Sequence, residues 1–103
     1  MLSDQTLATA FNALAHPRRV RLYRLLIERP ELGGCVKTLQ EVTGFQKAAL
    51  LHHLRVLEKA GLLARHRAGG SVSQKLKPGA LATAMAEVQR LSVAAGPATR
   101  RAA

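Results

Sequence analysis

Residues 46–63, QKAALLHHLRVLEKAGLL, constrain this chain more than any other stretch. Leu50, His53, Leu54 and Leu57 recur at helical spacing, Gly44 interrupts the pattern just before it, and Gly61 follows it. The spacing predicts a helix of roughly four turns with a glycine just past its end. On a projection of 100° per residue, Ala48, Leu51, His52, Arg55 and Lys59 fall opposite Leu50, Leu54 and Leu57. Gln46 and Lys47 stand near the amino end of the same side. One face must therefore be buried, and the other is left basic and rich in hydrogen-bond donors.

The segments around this helix read as further helices and one hairpin. Ser3 suits an N-cap, with Asp4 in the first turn where the helix dipole favours negative charge, and Leu7, Phe11 and Leu14 form an apolar stripe. Such a stripe needs a partner surface, because a short isolated helix is marginal in water. His16-Pro17 forces a break and restart, since proline fits the first helical position. From Pro17 to about Arg29, Val20, Leu22, Tyr23, Leu26 and Ile27 predict a largely buried helix. Its Arg18, Arg19, Arg21 and Arg24 read as a solvated face with stems laid over apolar neighbours, or, near the helix start, as one or two phosphate contacts. Residues 28–34 read as a loop containing Pro30, Gly33 and Gly34. Thr38-Leu39-Gln40-Glu41 has capping-box spacing, predicting a short helix with Leu39 and Val42 inward and Gly44 at its end. A short helix, a tight turn and a longer helix with one polar side make a helix-turn-helix, whose second helix enters the major groove of DNA.

Beyond Gly61, LLARHRAGGSVSQKLK predicts a hairpin turning at Gly69-Gly70, with Leu63, Val72 and Leu76 inward. Arg65, His66, Arg67, Lys75 and Lys77 make it strongly positive. Charge on an edge hairpin can serve to resist aggregation or to hold a polyanion. Pro78 opens a last helix in which Leu81, Met85, Val88 and Leu91 form a seam for another helix. Residues 96–103 read as a small, polar, disordered tail.

Composition narrows the partners. The 103 residues suit one domain, and aromatics supply only 3% of them, so the core must be leucine, valine and alanine on helices. A formal net charge of +10 concentrates polyanions around the chain, and nucleic acid is the first of these. No apolar run is long enough to span a bilayer and no amino-terminal export signal is legible, so the expected location is the cytoplasm, without membrane contact. The single cysteine, Cys35, cannot form an internal disulfide or alone hold a tetrahedral metal. No nucleophile has an evident histidine and carboxylate set, and no glycine-rich phosphate loop follows a strand, so no enzyme and no cofactor are expected.

Two segments also carry a resemblance. NALAHPRRVRLYRLL at residues 12–26 and GFQKAALLHHLRVLEKAGLLARHRAGG at residues 44–70 resemble the ArsR-type winged helix-turn-helix repressors in their AxAHPxR, HHLxxL and AGL elements, which occur in family order and at family intervals. The resemblance covers about residues 7–92. It implies a mainly α fold with a small β-hairpin, five helices plus a wing, in which residues 1–95 form a DNA-binding and dimerisation domain. Residues 46–63 would then hold the recognition helix and the hairpin would be the wing. Leu7, Phe11, Leu14, Leu81, Met85, Val88 and Leu91 would face the dimer axis, although a plain intrachain core fits the first-helix pattern equally.

The function expected is a sequence-specific regulator that binds an inverted-repeat operator as a homodimer on double-stranded DNA. Gln46, Lys47, Ala48, Leu51 and His52 are the candidate readers of base edges, and Lys47, Arg55, Lys59, Arg65, Arg67 and Lys75 the candidate phosphate contacts. Relatives usually carry Ser, Gln, Ser, Thr and Ser where this chain has Gln46, Lys47, Ala48, Ala49 and Leu51, so fewer hydroxyls are available to read bases. A dimeric protein-interaction adaptor of the same fold, with only non-specific DNA affinity, is the alternative. Relatives that sense metals use a Cys-Val-Cys on the third helix, where this chain has Cys35-Val36-Lys37, and a lysine ammonium is a poor ligand. Only Glu87 is a hard ligand in residues 78–91. His52 and His53 point about 100° apart on a helix and cannot readily share an ion, so no metal site is expected and the inducer is unknown. Cys35 reads either as a small buried residue or, if exposed with a lowered pKa, as a redox-active thiol.

Overall fold

The computed structural model describes residues 2–102, with side chains over residues 2–95; the tail expected at residues 96–103 lies outside the described side chains. Five α-helices, one 3-10 turn and a two-stranded hairpin follow one another: α1 (Asp4–Ala13), α2 (Pro17–Glu28), the 3-10 turn (Pro30–Gly34), α3 (Val36–Thr43), α4 (Lys47–Lys59), β1 (Leu63–Ala68), β2 (Ser71–Leu76) and α5 (Pro78–Ala102). This is the five-helix-plus-hairpin plan expected from the sequence. No helix among the described residues is long and apolar enough to cross a membrane.

Local chemistry sets the helix ends. The Ser3 Oγ accepts the Thr6 N–H at 3.1 Å and starts α1. His16 is the N-cap of α2, its Nδ1 accepting the Arg18 N–H at 3.1 Å while Pro17 takes the first helical position. At the end of α3, Gly44 adopts φ 75° and its N–H reaches the Gln40 carbonyl at 2.8 Å. The end of α4 is a Schellman motif: Gly61, at φ 79°, donates to the Glu58 carbonyl, and Leu62 donates to the Leu57 carbonyl, both at 3.0 Å. Leu62 is itself fully buried, so the motif turns the chain directly into the core and then into β1.

That core is a leucine cluster. Leu22 and Leu26 of α2, Leu32 of the turn, Leu39 of α3, Leu50, Leu54 and Leu57 of α4, and Leu62 and Leu63 all bury against one another, joined by Ala10, Ala13 and Ala84. Each buried leucine contributes about 1.5–3 kcal/mol relative to exposure. The hairpin is antiparallel, with Leu63 opposite Leu76, Arg65 opposite Gln74 and Ala68 opposite Ser71. Gly69 alone of the two turn residues has positive φ, at 61°, which fits a II′ turn rather than the doubly positive I′.

Four expectations change. The capping box at residues 38–41 is not the start of α3, which begins at Val36 with Cys35 as N-cap and Thr38 inside the first turn. Val42 is exposed rather than inward, because the earlier start leaves Leu39 and Thr43 as the buried residues of α3. Thr43 replaces it usefully: its hydroxyl donates to the Leu39 carbonyl at 2.7 Å and accepts the Phe45 N–H at 3.1 Å, shaping the turn into α4. Residues 30–34 form a 3-10 turn rather than an irregular loop, since it presses Leu32 and Gly33 into the core. Helix α2 is not buried all round, for Ile27 is 47% exposed.

Gly33 is required by close approach, not by backbone angle. A Cβ there would collide with the Gln74 backbone carbonyl and touch the Leu26 side chain, whereas one on Gly34 would meet nothing. Gly33→Ala is therefore expected to lower the unfolding free energy by about 1–3 kcal/mol, the range for forcing an extra carbon into a packed site. Gly34→Ala should change it little, and the two urea midpoints compare them directly.

Candidate nucleic-acid interface

Helix α4 separates its two chemistries as the spacing predicts. Leu50, His53, Leu54 and Leu57 are buried, while Gln46, Lys47, Ala48, His52, Arg55 and Lys59 are exposed and Leu51 is half-buried. These seven are the positions of the expected reading side, while Ala49, Val56 and Glu58 are half-buried between the two faces. Gln46 is the exposed N-cap and makes no side-chain cap bond, so its amide is not spent on the helix end.

Two arginines of α2, which the sequence suggests are solvated or phosphate-binding, instead tie down the ends of α1 and α3. Arg19 donates through Nε to the Ala13 carbonyl at 2.6 Å and through Nη2 to the Asn12 carbonyl at 3.5 Å, closing the end of α1. Arg21 donates to the Thr43 carbonyl at 3.0 Å and the Val42 carbonyl at 3.3 Å, closing the end of α3. Positive groups at helix carboxyl ends are favoured by the unpaired carbonyls and the dipole there. The guanidinium carbons of Arg18 and Arg21 lie 5.3 Å and 5.4 Å from the Phe45 ring centre, on the turn that leads into α4. Arg19 and Arg21 are thus structural. Charge on an amphipathic helix gives no sign of this, because the carbonyls they reach lie on other elements.

His53 sits beneath this arrangement. Its ring lies 4.8 Å from that of His16, and its Nδ1 is 3.5 Å from Arg19 Nη1. Burial depresses its pKa, and the charges of His16, Arg19, His52 and Arg18 depress it further. It is a neutral packing residue, and His52 beside it is exposed. Among the described residues no group of three or more His, Cys, Asp or Glu is placed to hold a metal ion.

The hairpin divides its charges between two faces. Arg65 and Arg67 alternate with Leu63 and so share its side, together with Val72, Gln74 and Leu76 opposite them; Lys75 and His66 lie on the other side. Arg67 and Lys75 are exposed. Arg65 is half-buried, 4.0 Å from Glu58 of α4, and ties the root of the hairpin to that helix. Period-two alternation from Leu63 is the signal that places it. Gln74, fully buried though polar, carried no such signal, because it interrupts an otherwise apolar inward row.

Cys35 is exposed, which overturns its reading as a small buried residue. It begins α3, so its side chain stays outside the core, and the backbone N–H groups of Thr38 and Lys37 hold its thiol below the usual range. On the expected dimer surface, Leu7, Phe11, Leu14 and Leu81 are half-buried against the chain's own core, while Met85, Val88 and Leu91 are exposed.

Comparison with known proteins agrees with this geometry. A family model described as a helix-turn-helix domain matches residues 14–66. An uncharacterised HTH-type transcriptional regulator of Mycobacterium tuberculosis is 37% identical over 65 residues, 63% of this chain and 55% of that protein. The match thus spans little more than half the length of that relative. A solved structure described as a possible transcriptional regulator for arsenical resistance is 30% identical, with a TM-score of 0.63 over 88% of this chain and 86% of that one.

The chain belongs to the ArsR-type winged helix-turn-helix family.

The ArsR-type fold is shared by a homodimeric winged helix-turn-helix domain from Mycobacterium bovis, 23% identical, with a TM-score of 0.66 over 89% of this chain and 88% of that domain. The family is one of DNA-binding regulators, not enzymes. In these terms α3 and α4 are the helix-turn-helix and β1–β2 the wing.

The depressed pKa of His53 has a consequence for stability. An unfolded histidine takes up a proton near its ordinary value of about 6.5, but folded His53 resists it until lower pH. Stability that its neutral form contributes above about pH 6.5 is therefore lost as pH falls toward and through the folded value. Chemical denaturation between pH 8 and pH 5 should show this decline, and His53→Gln should flatten it.

Proposed function

We propose that the chain is a sequence-specific transcriptional regulator that binds an inverted-repeat operator as a homodimer, most simply as a repressor. One observation carries this reading: α4 is anchored by its leucine face and turns Lys47, Ala48, His52, Arg55 and Lys59 outward beside a basic hairpin. A helix of that form fits the major groove, and a hairpin next to it reaches the flanking backbone.

The roles divide by reach. Gln46, Lys47 and His52 hydrogen-bond base edges, and Ala48 and Leu51 meet thymine methyl groups. Lys47, Arg55, Lys59, Arg67 and Lys75 neutralise phosphates, as does Arg65 from its half-buried position, and the counterions released supply most of the affinity. A regulator of this kind acts in the cytoplasm, on the DNA itself.

Dimerisation follows from α5. Its inner side buries Ala84 and half-buries Leu81, leaving Met85, Val88 and Leu91 as an apolar strip in water. A strip at helical spacing is covered most economically by the same strip on a second copy, with Leu7, Phe11 and Leu14 of α1 alongside. The pairing sets the two α4 helices for half-sites about one helical turn, ~34 Å, apart. The homodimeric state of the M. bovis domain, which shares the fold, supports this reading.

Two measurements test the proposal. Purified protein should bind its own promoter fragment at least ~10³-fold more tightly than random DNA of equal length at ~150 mM salt; equal affinities would leave the adaptor reading in its place. Lys47→Ala and His52→Ala should weaken promoter binding more than random binding, whereas Arg67→Ala and Lys75→Ala should weaken both. Leu91→Glu, at a position 48% exposed in the single chain, should leave the fold intact and yield a monomer in sedimentation.

A further inference from the structure

A groove of about 430 Å³ lies between the first turn of α3, the start of α4 and the hairpin. Its lining brings together Lys37 of α3, Lys47 of α4 and Arg65 of β1, three cations from three elements, over an apolar floor of Val36, Leu51 and Val72. No carboxylate lines it. Glu58 lies 4.0 Å from Arg65, and the charge of Glu41, within α3, acts on Cys35. The Arg65 Nε is buried and has no hydrogen-bond partner within the protein, so its salt bridge to Glu58 leaves donor capacity unused. Two of the lining residues, Lys47 and Leu51, belong to the reading side of α4, so the groove opens toward the same surface.

We infer that this groove seats a backbone phosphate of the bound DNA, and that Lys37 is a DNA-contact residue additional to those of α4 and the hairpin tip. The inference rests on the DNA-binding reading above. Cations that converge from separate elements repel one another, and the arrangement is relieved when a phosphate enters between them. The contact positions the protein without reading sequence, because a phosphate carries no base identity. It ties α4 and the hairpin to one point on the duplex, since Lys47 and Arg65 both line the groove.

Cys35 lies on the rim of this groove, exposed, and is the only cysteine in the chain. A thiol reagent therefore delivers a chosen charge to one place. The test measures affinity and salt slope for the promoter fragment and for random DNA, using wild type, Lys37→Ala, and wild type alkylated with iodoacetate or with iodoacetamide. Lys37→Ala is expected to weaken binding ~3- to 10-fold on both DNAs and to reduce the slope of log K against log salt by about 1. The carboxymethyl adduct, which adds a negative charge, should weaken binding at least ~10-fold, and the neutral adduct of nearly equal size much less. Unchanged affinity and slope for Lys37→Ala, or equal effects of the two adducts, would overturn the inference while leaving the DNA-binding reading standing. Failure of unmodified wild type to bind duplex DNA would instead remove that reading. Inorganic phosphate at constant ionic strength provides the last arm: if it raises the melting temperature of wild type but not of Lys37→Ala, with DNA affinity the same in both, the groove takes a free anion and the inference fails.

Discussion

The burial of Leu50, Leu54 and Leu57 beneath α4 is the contact on which the rest depends. These side chains meet Leu22 and Leu26 of α2 and Leu39 of α3 in a core with no fully buried aromatic residue among those described. Because the leucines are fixed, the opposite face of the same helix is fixed as well, and Lys47, His52, Arg55 and Lys59 are presented without any device of their own. The Schellman end at Gly61 extends this control. It drops Leu62 into the core and leads the chain directly from α4 into β1.

Around that core, arginine does the work that short polar caps do elsewhere. Arg19 and Arg21 leave α2 in different directions and satisfy carbonyls at the ends of α1 and α3. Both helices are thereby held against the element that also supports α4. Arginine suits this because its planar fork donates several hydrogen bonds while its stem covers apolar surface. Burial is the main reason His53 resists a proton, and the charges of His16, Arg19, His52 and Arg18 around it act in the same direction.

The excess of cations has an energetic side. With sixteen lysines and arginines against six acids, the folded chain concentrates positive charge. The ion pairs seen among the described residues, Arg29 with Glu31, Arg65 with Glu58 and Arg90 with Glu87, lie at or near the surface and offset little of this excess. Self-repulsion is therefore left for a polyanion to relieve, and Lys37, Lys47 and Arg65 line one groove with no carboxylate among its lining residues.

The sequence by itself determined the helices, their order, the buried and exposed sides of α4 and the position of the hairpin turn. Those are properties of spacing, proline and glycine, and they survive any arrangement of neighbours. Tertiary structure decided what spacing cannot encode. It made Arg19 and Arg21 ties rather than solvated charges, because their acceptors are backbone carbonyls on other helices. It moved the start of α3 back to Val36, with Cys35 as its N-cap, and brought Lys37 into one groove with hairpin residues, because the 3-10 turn presses Leu32 and Gly33 inward against β2. It placed Arg65 at the root of the wing, where Glu58 of a different element meets it. Contacts between residues distant in sequence depend on how whole elements pack, and no local pattern specifies them.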